Sequence, residues 1–145
     1  MTQHEVHLIK SSFAKVAPIA EQAAAIFYAR LFELNPSLRA MFHGDIGEQG
    51  RKLMQTLALA VAGLDRLETL VPAVRQLGLR HAGYGVRDEH YETVGEALLW
   101  TLAKGLGPEF TDEMQAAWAK VYWLLAETMK AGVRDGAASL NRKVA

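Results

Sequence analysis

The stretch Leu77-Gly78-Leu79-Arg80-His81-Ala82-Gly83-Tyr84-Gly85-Val86 decides how this chain is read. Stepping back from His81 by helical turns reaches Leu77 and then Val74, an apolar stripe that ends in one imidazole. A helical side chain leans toward the preceding turn, so His81 is expected to hang over Gly78. Gly78 carries no side chain, and a flat object can approach there. Gly83 and Gly85 can adopt the positive φ that ends a helix and turns the backbone tightly. A hydrogen-bonded core histidine at a helix end fits this stretch equally well, so the remainder of the chain must decide.

Length and composition narrow the choice. One domain of 145 residues can bury roughly two thirds of its unfolded surface. Half the residues are hydrophobic, which is enough for a full core. Sixteen Lys and Arg balance sixteen Asp and Glu, so there is no electrostatic case for binding nucleic acid or an anionic membrane. The chain has no cysteine, which excludes disulfides, zinc–thiolate sites, iron–sulfur clusters and thiolate catalysis. The first residues are polar and unlike a signal peptide, and no apolar run approaches the ~20 residues of a membrane helix. The expectation is a cytoplasmic protein.

The pattern along the chain is helical throughout. Thr2-Gln3-His4-Glu5 fits a capping box ahead of Val6, Ile9, Phe13 and Val16, and Pro18 ends that run. His4 and His7 lie one turn apart, a weak metal pair with no third ligand, and solvation explains them better. A second helix is expected from Ile19 to Leu34, with Ala24, Phe27, Leu31 and Leu34 on its inner face and Tyr28 beside it. Asn35-Pro36 stops it, and Pro36 opens a short turn through Met41 and Phe42. A third helix, from Gly47 to Leu64, buries Leu53, Leu57, Ala60 and Leu64. Gln49 lies one turn before Leu53, either an ordinary surface glutamine or an amide at the lip of that face. Asp65 caps a short turn around Leu67 and Leu70, and Pro72 suits the first turn of the helix that ends at His81.

Asp88 caps the next helix, which carries Tyr91, Val94, Leu98 and Leu102 and stops at Gly105, Gly107 and Pro108. Thr111 starts the last helix, with Met114, Trp118, Val121, Leu125 and Met129 inward. Periodicity fades after Ala131. The expected organisation is one domain over residues 1–133 and a frayed tail over 134–145. The fold class is all-α, with six to eight helices. Trp100, Trp118 and Trp123 read as packing residues. The sequence has no phosphate loop, nucleophile elbow or His-Glu-x-x-His. What survives is an apolar helical protein with one inward histidine and a tyrosine and a glutamine near core faces. That set suits a flat apolar cofactor carrying a metal, and haem is the obvious candidate.

Six ordered landmarks carry a resemblance. They are Phe27-Tyr28-Ala29-Arg30-Leu31-Phe32, Asn35-Pro36-Ser37-Leu38-Arg39-Ala40-Met41-Phe42, Gln49-Gly50-Arg51-Lys52-Leu53, Arg80-His81-Ala82-Gly83-Tyr84-Gly85-Val86, His90-Tyr91-Glu92-Thr93-Val94-Gly95, and Ala117-Trp118-Ala119-Lys120-Val121-Tyr122. In that order the chain resembles bacterial single-domain globins, close to the globin module of flavohaemoglobins and to Vitreoscilla-type haemoglobins, over about residues 3–133. The resemblance implies the globin fold, a three-over-three helical sandwich around haem b. It implies that His81 is the proximal iron ligand, its second ring nitrogen hydrogen-bonded to fix the tautomer. Phe42, Leu53, Leu77, Val86 and Val94 would wall the porphyrin. Tyr28 and Gln49 would donate hydrogen bonds to bound oxygen, and Lys52 would either reach a propionate or simply be solvated. A hydrogen bond to a charged group is worth ~1.5–3 kcal/mol, so oxygen escape would slow by roughly ten- to a hundredfold.

One departure stands out. In flavohaemoglobins a glutamate of the last helix contacts the tyrosine matching Tyr91, and the two orient the proximal histidine. Its place here falls near Val133, well after Glu127, so the proximal relay is in doubt. Two functions of different classes follow. One is oxygen storage, scavenging or sensing. The other is nitric oxide dioxygenation to nitrate, with a separate reductase as electron donor. Oxygen, nitric oxide and carbon monoxide are the implied small ligands.

Overall fold

The computed structural model describes the backbone of residues 1–144 and the side chains of residues 1–135. Six helices follow one another: α1 Gln3–Val16, α2 Ala20–Leu34, α3 Ile46–Ala62, α4 Leu67–Gly83, α5 Asp88–Leu106 and α6 Asp112–Val144. Short 3-10 segments lie between them at Ala17–Ile19, Pro36–Met41, Leu64–Arg66 and Gly107–Glu109, and a loop joins α4 to α5. Among the described residues there is no strand, and no helix is long and apolar enough to cross a membrane.

The end signals act largely as their chemistry predicts. Thr2 Oγ1 accepts the Glu5 N–H at 3.1 Å while the Glu5 carboxylate accepts the Thr2 N–H at 2.8 Å, a complete capping box. Asp45 caps α3 through the Gly47 N–H at 3.0 Å, and Thr111 caps α6 through the Met114 N–H at 3.2 Å. Two expectations fail. The turn around Leu67 and Leu70 is the start of α4 itself, so Pro72 lies inside that helix instead of in its first turn. Asp88 is the first helical residue of α5 and not its cap. The Arg87 N–H instead donates to Nδ1 of buried His90 at 2.9 Å. The expected tail from residue 134 begins within α6, and the side chains beyond residue 135 lie outside the described residues.

α2 packs on α3 and α5, α1 on α3, α5 and α6, α5 also on α6, and α4 on α6. Ile9, Phe13, Phe27, Leu31, Leu98, Leu102, Trp118 and Val121 fill the main core. Trp118 is its largest fully buried side chain, and its Nε1–H donates to Ser12 Oγ at 2.9 Å, tying α6 to α1. Trp100 and Trp123 are instead each 39% exposed, with cationic side chains over their rings.

α4 is a different kind of element. Its extensive helical packing is against α6, and its one fully buried residue is Gly78. A β-carbon on Gly78 would fall 2.2 Å from the Met129 carbonyl oxygen, and one on Gly132 would fall 2.5 Å from the Arg75 carbonyl oxygen. α4 and α6 therefore cross backbone to backbone at two glycines.

Candidate functional site

α2 presents Tyr28 at the boundary between the core and the space under α3. Tyr28 is buried, with its ring edge-on to Phe42 at 5.3 Å and tilted to Phe32 at 6.0 Å. Phe42, carried by the turn after α2, completes the triangle by meeting Phe32 at 5.5 Å. Among the described residues the Tyr28 hydroxyl has no hydrogen-bond partner. Burial pushes this phenol up to about 12, so it stays protonated at neutral pH and keeps a proton to donate.

α3 closes over this group through a glycine. A β-carbon on Gly50 would lie 2.9 Å from Ala24 Cβ and 4.0 Å from Tyr28 Cε2. Gln49, the residue before it, is half-buried and makes no side-chain hydrogen bond among the described residues. Leu53 and Val94 pack on the same core cluster as Tyr28 and Phe42. Leu53 and Leu57 remain half-exposed, although the sequence pattern put them on a buried stripe. Lys52 is exposed and without an ion pair among the described residues.

His81 comes from the other side. Its Nδ1–H donates to the Leu77 carbonyl at 2.8 Å, one turn earlier on α4. A carbonyl can only accept, so the proton is on Nδ1 and Nε2 carries the free lone pair. Burial, as the largest cause, holds the imidazole below its ordinary value, against the Leu77 hydrogen bond, and keeps the ring neutral. Leu77 and Val86 join Val74 and Tyr122 around a second buried cluster of Tyr91, Ala126 and Met129. The Tyr122 hydroxyl donates to the Tyr91 carbonyl at 2.6 Å. The expected open approach over Gly78 is not there. Its bare face is filled by the Met129 backbone, so that glycine serves helix packing and not a ligand.

The candidate residues thus fall into two groups. Tyr28, Phe42, Leu53 and Val94 lie on one cluster, and Leu77, Val86 and Tyr91 lie on another beside His81. No hydrogen bond joins Tyr28 to Gln49 or Tyr91 to His81 among the described residues. Apolar side chains half-covered by protein and one neutral imidazole with a free nitrogen suit haem, and a protonated phenol can donate to a ligand on it. The residues present fit that group. A cleft of about 240 Å³ between α5 and α6, lined by Glu92, Glu96, Leu99 and Trp123 among others, includes none of them.

Three residues near the site went unread in the sequence. His90 caps α5, Gly132 sets the α4–α6 crossing, and Lys130 puts its ammonium 5.3 Å from the centre of the Tyr91 ring. Glu127, a carboxylate of the last helix, is 61% exposed and pairs with Lys130 at 3.5 Å. The signal for Lys130 was available, because it shares a helical face with Tyr122 and Ala126.

Comparison with known proteins adds independent findings. The sequence profile described as globin matches residues 25–129. The flavohemoprotein of Vibrio cholerae serotype O1 is 32% identical over 148 aligned positions, covering 100% of this chain and 37% of that protein. The flavohemoprotein of Rhizobium meliloti is 32% identical over 89% of this chain and 33% of its own length. The chain thus spans about a third of the length of these curated relatives. An engineered carbene transferase from Rhodothermus marinus, whose parent is assigned as a nitric oxide dioxygenase, superposes with a TM-score of 0.85. It is 27% identical and covers 97% of this chain and 99% of its own. A bacterial globin from Campylobacter jejuni superposes with a TM-score of 0.83 over 94% of this chain and 99% of its own, and at 24% identity it speaks to the fold alone.

Proposed function

The chain belongs to the globin family, and on that premise we propose that it holds haem b through His81 and binds oxygen tightly for nitric oxide dioxygenation. The observation that carries the reading is the pinned imidazole. With Nδ1–H committed to Leu77 at 2.8 Å, Nε2 is presented as a neutral ligand of fixed orientation, and burial holds off the proton that would compete for it. Bound there, haem supplies a ferrous iron that takes diatomic gases.

The remaining chemistry belongs to the chain's own side chains. Phe42, Leu53, Leu77, Val86 and Val94 exclude water on the two sides, which protects the ferrous state from oxidation. Tyr28 offers a phenolic proton from a ring locked against Phe32 and Phe42, so little ordering is needed when it donates to a polar diatomic ligand. Gln49 would add a second donor from a more flexible stem, and Lys52, which is exposed, would meet a propionate from the solvent side. A strong donor beside a dry wall slows oxygen release. Slow release suits scavenging chemistry better than bulk delivery. Combining nitric oxide and oxygen into nitrate takes up one electron per turnover, which a separate reductase would supply. The balanced charge and lack of cysteine suit a cytoplasmic setting.

The test is anaerobic mixing of the oxygenated protein with nitric oxide, then ferric reduction by a lysate of the source cell or by candidate reductases. We expect fast stoichiometric nitrate, slow turnover alone and brisk turnover with the reductase. His81→Ala should abolish the chemistry unless imidazole is added. Reduction too slow to sustain turnover would leave oxygen storage or sensing as the function.

A further inference from the structure

Lys130 is placed against the usual habit of lysine, whose charged head stays in water while its stem covers apolar surface. Here the side chain is only 15% exposed. Its ammonium lies 5.3 Å from the centre of the Tyr91 ring and 5.7 Å from that of Trp123, where the negative faces of both rings attract it. Tyr91 is buried with Leu77 and Val86, and Leu77 supplies the carbonyl that holds His81. A partly desolvated cation is therefore two residues removed from the imidazole, on the side of the protein that backs α4.

We propose that Lys130 is a positioning residue whose charge, seated on Tyr91, favours ferrous over ferric haem at His81; this rests on the haem reading above. The physical reason is simple. Ferrous haem carries one positive charge fewer than ferric haem, so a fixed nearby cation raises the energy of the ferric form more. Its field acts through protein, where screening is weak. The Glu127 carboxylate, 3.5 Å from the ammonium, is 61% exposed, and its opposing field is spread through water and salt. The cation therefore prevails toward the interior. The consequence is a proximal side that resists oxidation and gives little electron push, which suits holding oxygen more than activating peroxide.

The experiment uses the full chain loaded with haem and equilibrated with a redox dye of fixed ratio, reading ferrous and ferric haem by their Soret bands. Lys130→Met should lower the ferrous-to-ferric ratio about three- to tenfold. Lys130→Gln, neutral but polar, should do the same and serves if the Met variant does not fold. Lys130→Arg, which keeps the charge and stacks on aromatic rings, should stay within about twofold of wild type. Glu127→Gln should move the ratio the other way. Equal ratios for wild type and both neutral variants would overturn the proposal, as would an equal fall in Lys130→Arg, which marks lost packing. Wild-type protein that takes up no haem, and so shows no Soret band, would overturn the haem reading and the proposal with it.

Discussion

At the scale of single residues, two side chains do opposite things with burial. Burial disfavours charge on both, which lowers His81 and raises Tyr28, and each ends neutral at working pH. The first becomes a lone pair and the second a proton donor. Replacing Tyr28 by Phe should speed oxygen dissociation by at least about tenfold and carbon monoxide release much less, because carbon monoxide gains less from the same donor. Stopped-flow release of both gases checks this, and equal small effects would remove Tyr28 as the main donor. Because the phenol titrates only near 12, that release rate should be flat between about pH 6 and about pH 9. The sequence exposed both residues through the company they keep on their helices. It could not show where the Nδ1 proton goes, since that depends on a carbonyl one turn away being free to accept.

At the scale of elements, the α4–α6 crossing is the feature that periodicity could not supply. Glycine in a helix reads as a weakness or an opening, and only the partner helix reveals that Gly78 and Gly132 are contact points. Gly78→Ala forces a methyl to within 2.2 Å of a backbone oxygen, and backbone cannot swing aside as a side-chain tip can. We expect a loss of about 3 kcal/mol or more, with weakened haem retention because His81 rides on the displaced helix. Gly83→Ala is the matched control, because nothing lies within 4 Å and no positive φ is required there. It should be neutral or stabilising by up to about 1 kcal/mol. Denaturant midpoints and haem transfer rates for the two variants decide the point. The same blindness to partners explains α5. Asp88 has the chemistry of a cap, but the helix starts one residue early, so Arg87 holds the cap position and the His90 ring accepts its N–H.

At the scale of the whole molecule, the helices were legible because apolar spacing, the Thr2 and Thr111 caps and Pro18 and Pro36 agree with one another, while Asp88 and Pro72 pointed to the wrong helix starts. The resemblance implied a three-over-three sandwich, but which helices pair was not legible, since spacing within a helix says nothing about which neighbour it meets. Leu53 and Leu57 show the limit: period placed them inward, yet protein covers them only by half. The arrangement also distributes rigidity unevenly. α2 and α5 are embraced on several sides, and the Ser12–Trp118 bond closes the ends of the core. α4 leans chiefly on α6, and Pro72 has no N–H to offer the Glu68 carbonyl one turn before it. In heavy water the haem-free protein should therefore release its amide protons in order, α4 well before α2 and α5, as read by mass spectrometry of exchanged peptides. Loading haem at His81 should then slow α4 most of all, so that the helix bearing the ligand serves as a clock of occupancy.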